Sequence, residues 1–338
     1  MRAGLFGLAL AASAMVSLAP ESALAWGSSG HRMIAESAVA ALPTSLPSFL
    51  RDPSTVADIG EMAREPDRWR VAGAAHDGHR DPDHYAYADD QGKLGGGPGF
   101  TALPTTRQAY DALLGKAGAA PDEVGFLPYA IIEGFQQVTK DFVYWRADRA
   151  GLRLERDPAR RAWLEADRRR REAQMVYDIG VFAHFVGDAT QPMHLSVHHD
   201  GWGNFPNPDG FTDQKVHIPY EGAYVAHVVT PERVRAAMSP ARAIAAPVGL
   251  EVGAWLEASR FEARTWYALE KDGAFKPGDP RGVDYTTRRL GLAASELRDL
   301  LVAAWSASTA GQVNYPVATL ADIESGKVNA WTVLHGPD

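Results

Sequence analysis

The chain has 338 residues, 46% of them apolar and 22% charged, which suffices to bury a core in one large domain or two small ones. It contains no cysteine, which excludes disulfides, thiolate metal sites and cysteine nucleophiles. A formal charge of −8 disfavours sequence-independent binding of duplex DNA, so any polyanion has to be held by a local positive site.

In chain order, residues 1–25 read as a secretory signal peptide, with Arg2, an apolar run from Ala3 to Ala19, and Ala23-Leu24-Ala25 as the cleavage signal. The apolar run is short of the roughly 20 residues that a membrane span needs. Cleavage after Ala25 leaves a secreted or periplasmic protein, residues 26–338, beginning at Trp26. A helix is predicted over 28–42, where Met33, Ile34, Ala38 and Val39 recur at helical spacing, and a second over 56–70. Residues 71–100, rich in Gly, Asp, Pro and His, read as a long loop. Helices follow over 106–114 and 127–149, then a long amphipathic one over 159–187 that turns strongly apolar from Met175. Residues 202–213 read as a loop, and 247–269 and 285–310 as two more helices. With no alternating strand pattern and no repeats, the reading is an all-α fold, one helical domain over 26–338. The run Arg168 to Arg171 reads as a solvated helix face with Glu165, Asp167 and Glu172 as partners, rather than as a nucleic-acid or membrane contact.

The densest chemistry is His184-Phe-Val-Gly-Asp188-Ala-Thr-Gln-Pro-Met-His194. His184 and Asp188 are four apart, so on a helix they share a face and can share a metal ion. Pro192 disrupts the helix and lets His194 turn back toward the same pocket. Among Phe182, Phe185 and Val186 such polar groups need partners, and a metal supplies them. His217-Ile-Pro-Tyr-Glu221 repeats the spacing, with a helix expected to begin at Pro219; alone it is no more diagnostic than a surface pair. Trp26-Gly-Ser-Ser-Gly-His31 follows the cleavage site directly. A free α-amino group and the carbonyl of the same residue can chelate a metal, with His31 completing the grip. A helix start capped by Ser28 or Ser29 is compatible with that.

Together these segments resemble the superfamily of plant and fungal type I single-strand nucleases and bacterial zinc phospholipases C. The resemblance covers residues 26–221 and leaves 222–338 without a motif. It implies a single helical domain with three zinc ions per chain in a cleft, held by nine residues. Asp67, His84, His184 and Asp188 would hold one ion. Trp26 and His31 would hold a second, with Asp188 bridging, and His194, His217 and Glu221 the third. His84 is matched, rather than His76 or His79 of the same loop, because Tyr85 follows it. His198 and His199 read as exposed loop residues or as groups behind the ligands.

The resemblance further implies a phosphodiesterase. Zinc brings the pKa of bound water toward about 7, Asp67 would orient that nucleophile and act as base, and the third zinc would steady the leaving oxygen. Arg70 matches an arginine that the nucleases use on the phosphate; a surface salt bridge is the alternative. Tyr85 would be the stacking platform for a base. The implied substrate is single-stranded DNA or RNA, cleaved to 5′-phosphorylated products, with 3′-nucleotidase activity in range. Phospholipid is the alternative substrate, because Glu221 stands where the nucleases carry aspartate and the phospholipases glutamate. Tyr87 stands where the nucleases place an acid that reads the base, and their double glycine appears here as Gly201-Trp202-Gly203-Asn204. A non-catalytic secreted zinc-binding protein is the third reading. No obligate protein partner is implied.

Overall fold

Capping residues and prolines set many of the helix starts in the computed structural model, which describes residues 26–313 and 316–336. The segment read as a signal peptide lies outside the described residues. The chain opens with α1 (Gly27–Ala40) packed on α2 (Pro53–Met62), followed by the short helices α3 (Glu65–Arg68), α4 (Ala74–Arg80), α5 (Arg107–Ala117) and α6 (Pro121–Val124). Two long helices, α7 (Leu127–Leu154) and α8 (Pro158–Asp188), come next. A π-helical stretch, Pro219–Tyr224, runs into α9 (Val225–Val228). Then come α10 (Pro231–Ala236), α11 (Val248–Arg260), α12 (Glu262–Lys271) and α13 (Pro280–Ala307). A two-residue hairpin, β1 (Gln312–Val313) with β2 (Ala318–Thr319), leads to α14 (Leu320–Glu324) and α15 (Ala330–His335). The all-α, single-domain expectation holds.

The scaffold of the site is the α7–α8 hairpin. Asp157 caps α8 by accepting the Ala159 and Arg160 N–H groups, and Pro158 occupies the first turn, where its missing donor costs nothing. The two helices run antiparallel, with Gly134 against Phe182 and Gly151 against Leu164. From Met175 onward the inner face of α8 is buried: Met175, Ile179, Phe182, Ala183 and Val186. Each large side chain contributes roughly 1.5–3 kcal/mol by leaving water. That half of α8 packs against α1, α2 and α13, so its last turn, carrying His184 and Asp188, ends inside the protein. The run Arg168 to Arg171 lies on the other half and pairs with Glu165, Asp167 and Glu172 as expected.

Several boundaries differ from the sequence reading. The helix expected over 56–70 is two helices, because Pro66 has no N–H to return to the preceding turn and α2 stops at Met62. The stretch 71–100 is not wholly loop; α4 and a 3₁₀ turn (Asp81–His84) lie within it. No residue of α4 is buried, so it has no apolar periodicity to display. The helix expected over 247–269 is interrupted at Phe261, where nothing in the local sequence marks a stop. The last long helix starts earlier than expected, at Pro280, capped by the Asp279 side chain. The β1–β2 pair is too short for alternation to show.

Candidate metal centre

Four parts of the chain converge at the end of α8. Three groups of buried or largely buried donors result, each with its ligand atoms within 4.8 Å of one another: Asp67, His84 and His184; His31, His184 and Asp188; His194, His217 and Glu221. His184 belongs to two of them. Asp188 Oδ2 lies 3.2 Å from His84 Nδ1 and 3.3 Å from His184 Nε2, while Oδ1 lies 3.5 Å from His31 Nε2. One carboxylate therefore reaches both neighbouring groups. A tetrahedral ion with ligands near 2 Å sets them about 3.3 Å apart, the spacing seen here.

Local structure explains each placement. The α2–α3 break presents the Ala63 carbonyl, which takes the Nδ1 side of His184 at 2.9 Å. Gly187 leaves room for the His31 ring, since a Cβ there would stand 3.0 Å from its Nδ1. The His31 and His184 rings stack at 3.9 Å. His84 ends its 3₁₀ turn, after which Ala86 and Ala88 pair with the backbone at His194 and Leu195. The His84 carbonyl takes the His194 Nδ1–H, aiming Nε2 of His194 at Nε2 of His217, 3.1 Å away. His217 and Glu221 sit one turn apart, 2.8 Å between Nε2 and Oε2. Their helix begins at His217 rather than Pro219, because Asp200 accepts the Val216 and His217 N–H groups and caps it. The π-helical stretch follows at once, a form that recurs at functional sites.

Trp26 is fully buried, and its indole N–H donates to the Gly187 carbonyl at 2.8 Å. Gly27 adopts φ 53° against the Glu221 backbone, where a Cβ would come within 3.0 Å. The amino terminus of the predicted mature chain is thus fastened between two ligand-bearing segments. The Trp26 carbonyl accepts the Gly30 N–H at 3.1 Å and keeps a second lone pair. No Ser28 or Ser29 side chain caps α1.

These residues fit metal ions. Burial pushes the His184 and His84 imidazoles below their ordinary range, which keeps the rings neutral. With its proton on Nδ1 toward Ala63, His184 turns its Nε2 lone pair on Asp188 Oδ2. Two electron-rich atoms facing each other in a buried site need either a proton or a metal ion between them. Burial, with the Glu221 carboxylate adding to it, drives the Asp188 carboxyl well above its usual range against the pull of His194 and Arg70. Burial would raise Glu221 too, but His217 and His194 beside it hold it down at about 2. His84 Nε2, Asp188 Oδ1 and Glu221 Oε1 are buried without a hydrogen-bond partner.

The other expected site residues lie around this cluster. Burial raises Asp67 to about 6, against the opposing pull of His184 and Arg70. Arg70 is only 13% exposed, 3.7 Å from Asp67 and 3.8 Å from Asp81, so it is not a surface pair. Tyr85 is not a lone platform. It stacks on Tyr87 at 4.4 Å, and Tyr87 stacks on the exposed His199 at 4.5 Å, making a three-ring ladder beside His84. His198 is buried and tied to the Trp202 carbonyl and Asp90, outside the ligand groups. His76 pairs with Asp77 on α4, also outside them.

Three further side chains stand behind the ligands. Gln191 donates to Glu221, Asp200 caps the His217 turn, and Arg289 of α13 donates to the Thr190 carbonyl. Of these, only Gln191 lies within a motif that the sequence displays.

The fold and site define a helical protein with a buried histidine–carboxylate centre able to hold metal ions. Comparison with family models, with curated proteins and with solved structures finds no match.

Proposed function

We propose that this protein is a zinc-dependent phosphodiesterase that hydrolyses single-stranded nucleic acid to 5′-phosphorylated products. The observation that carries it is the pairing of the His184 Nε2 lone pair with the Asp188 carboxylate inside a cluster of shared donors. Imidazole and carboxylate donors without thiolate suit zinc. Asp67, His84, His184 and Asp188 would hold one ion, His31 and the Trp26 terminus a second alongside Asp188, and His194, His217 and Glu221 a third.

Bound there, the ions would supply Lewis-acid polarisation of the phosphoryl group and activation of water near neutral pH. Asp67, held beside Arg70, would orient the attacking water and accept its proton. Arg70, beside Asp67, offers a planar fork to the phosphate oxygens. The Tyr85–Tyr87–His199 ladder provides π faces for bases, which are accessible only when unpaired, so single strands are preferred over duplex. Glu221 favours a second reading, a phospholipase C acting on lipid headgroups. No helix among the described residues is long and apolar enough to cross a membrane, and the leader signal points to secretion or the periplasm.

The test offers the zinc-loaded protein single-stranded DNA, RNA, duplex DNA and phosphatidylcholine vesicles at matched phosphate. Cleavage of single strands to 5′-phosphates, with slower attack on duplex, supports the nuclease. Rapid phosphocholine release with intact oligonucleotides moves the assignment to the phospholipase. A zinc-loaded protein inert toward every substrate leaves only metal binding.

A further inference from the structure

The C-terminal region, which carries no motif, builds a second feature far from the metal centre. A small core of its own, including Val143, Ala147, Val313, Ile323 and Val333, fastens the hairpin, α14 and α15 onto the second half of α7. Beside it runs a groove of about 550 Å³ lined by Trp145, Arg146, Arg149, Arg153, Trp305 and Glu324 among others. Leu127, at the start of α7, bonds to the Tyr85 carbonyl next to His84. Trp145 lies 18 residues further along the same helix, about 27 Å at 1.5 Å per residue.

The charge in this groove is only partly offset, Glu324 acting on Arg146 and Glu165 on Arg149 without a close ion pair. Arg168 to Arg171 on α8 all pair with acids. Arg146, Arg149 and Arg153, spaced along one face of α7, form no ion pair among the described residues. Arg146 bonds instead to the Ser308 hydroxyl and the Trp305 carbonyl, and Arg153 to the Glu324 carbonyl. The guanidinium of Arg146 covers Trp305 at 3.4 Å, and that of Arg149 stands 5.4 Å from Trp145. The pattern continues at this end of the hairpin, with Arg160 over Trp331 at 4.5 Å and Arg170 by Trp163 at 5.9 Å. Two of the nine tryptophans of the chain, Trp145 and Trp305, line the groove itself, in a protein of formal charge −8.

We propose that this groove is an accessory binding site for single-stranded nucleic acid. Arginines outside close ion pairs, with Arg149 exposed, meet phosphates, and the half-buried indole edges beside them take unstacked bases, the two elements by which proteins hold single strands without reading sequence. The site rests on the nucleic-acid reading of the metal centre and extends it: a strand anchored here reaches the reacting bond several nucleotides away, so only long substrates gain.

The experiment measures binding and hydrolysis separately on the zinc-loaded protein. Binding is read by anisotropy of a labelled twenty-nucleotide phosphorothioate oligothymidylate, which resists cleavage. Hydrolysis is read on a dinucleotide too short to span both sites. The double variant Arg149→Glu, Arg153→Glu should weaken strand binding at least tenfold. It should reduce the slope of log affinity against log salt by about 1.4, the loss of two single-strand phosphate contacts. Dinucleotide turnover should stay within twofold, with an unchanged melting temperature as the folding control. Arg149→Lys, which keeps the charge, should retain most of the binding. Unchanged strand affinity in the double variant, or loss of binding to phosphatidylglycerol vesicles instead of to the strand, overturns the proposal. Arginine-dependent strand binding by a protein inert toward the dinucleotide sinks the hydrolase reading and leaves the groove standing.

Discussion

The side-chain amide of Gln191 joins two segments of the metal centre: its N–H donates to Glu221 Oε2 at 3.0 Å, and its carbonyl accepts the Met193 N–H at 2.7 Å. Glu221 is thereby aimed at His217 and His194 with Oε1 left over as a donor atom. Groups behind metal ligands commonly tune affinity by 10- to 100-fold. Gln191→Leu should therefore weaken one metal equivalent by roughly that factor and leave the others in place. Dialysis against graded chelator followed by elemental analysis checks this; uniform retention would show that the amide does not matter.

Asp188 should behave differently. Its two oxygens face His31 on one side and His84 and His184 on the other. Asp188→Asn should release more than one of three bound zinc ions and lower the melting temperature, since metal binding and folding are linked. Loss of a single ion would mean that the carboxylate is not shared.

The amino terminus gives a third test. The buried Trp26 indole is fixed by Gly187 and Thr190, so Trp26 is held against the end of α8 whatever precedes it. A ligand role for its amino group requires that group to be free. A protein carrying residues before Trp26 should contain one zinc fewer than the protein beginning at Trp26. Equal metal content in the two would remove Trp26 from the ligand set.

What could be read from the sequence divides along physical lines. His184 and Asp188 were legible because helical periodicity is local and Met175 to Val186 announce a buried face. The ends of α2 and α11 were not, since one depends on Pro66 within an otherwise helical stretch and the other has no local marker. Helix α4 buries nothing and so left no pattern. Asp200 acts on His217 across an intervening loop. The arginine–tryptophan groove joins Arg146 to Trp305 across 159 positions, a separation no motif records.

Asp148 offers a test of stability with no bearing on the site. It is fully buried on α7, and neither carboxylate oxygen has a hydrogen-bond partner. Burial, followed by the nearby Asp167 carboxylate, pushes it up from about 3.8 to about 8. Between those values the folded protein holds a proton that the unfolded chain has released. Stability from this group is therefore complete below about pH 4 and is lost as pH rises toward 8. Asp148→Asn keeps the shape and removes the titration. Its melting temperature should match the parent near pH 4 and exceed it by a few °C at pH 8. A constant difference across that range would contradict a buried, proton-holding carboxyl.

The last prediction separates the rings of the ladder. Tyr85 is anchored, its hydroxyl donating to the Asp122 carbonyl at 2.7 Å, and Tyr87 fills the space between it and His199. If bases stack on this column, each ring removed should cost binding that substrate and transition state share, so KM rises while kcat holds. Stacking is worth about 1–3 kcal/mol per base, which corresponds to a KM increase from about fivefold to over a hundredfold. Tyr85→Leu and Tyr87→Leu should each show this with single-stranded DNA. Neither should change turnover of bis(p-nitrophenyl) phosphate, which has no base to place. The two changes should be less than additive, because Tyr87 also supports Tyr85. An unchanged KM with a collapsed kcat on both substrates would instead make the ladder a brace for His84, and the base would have to be held elsewhere.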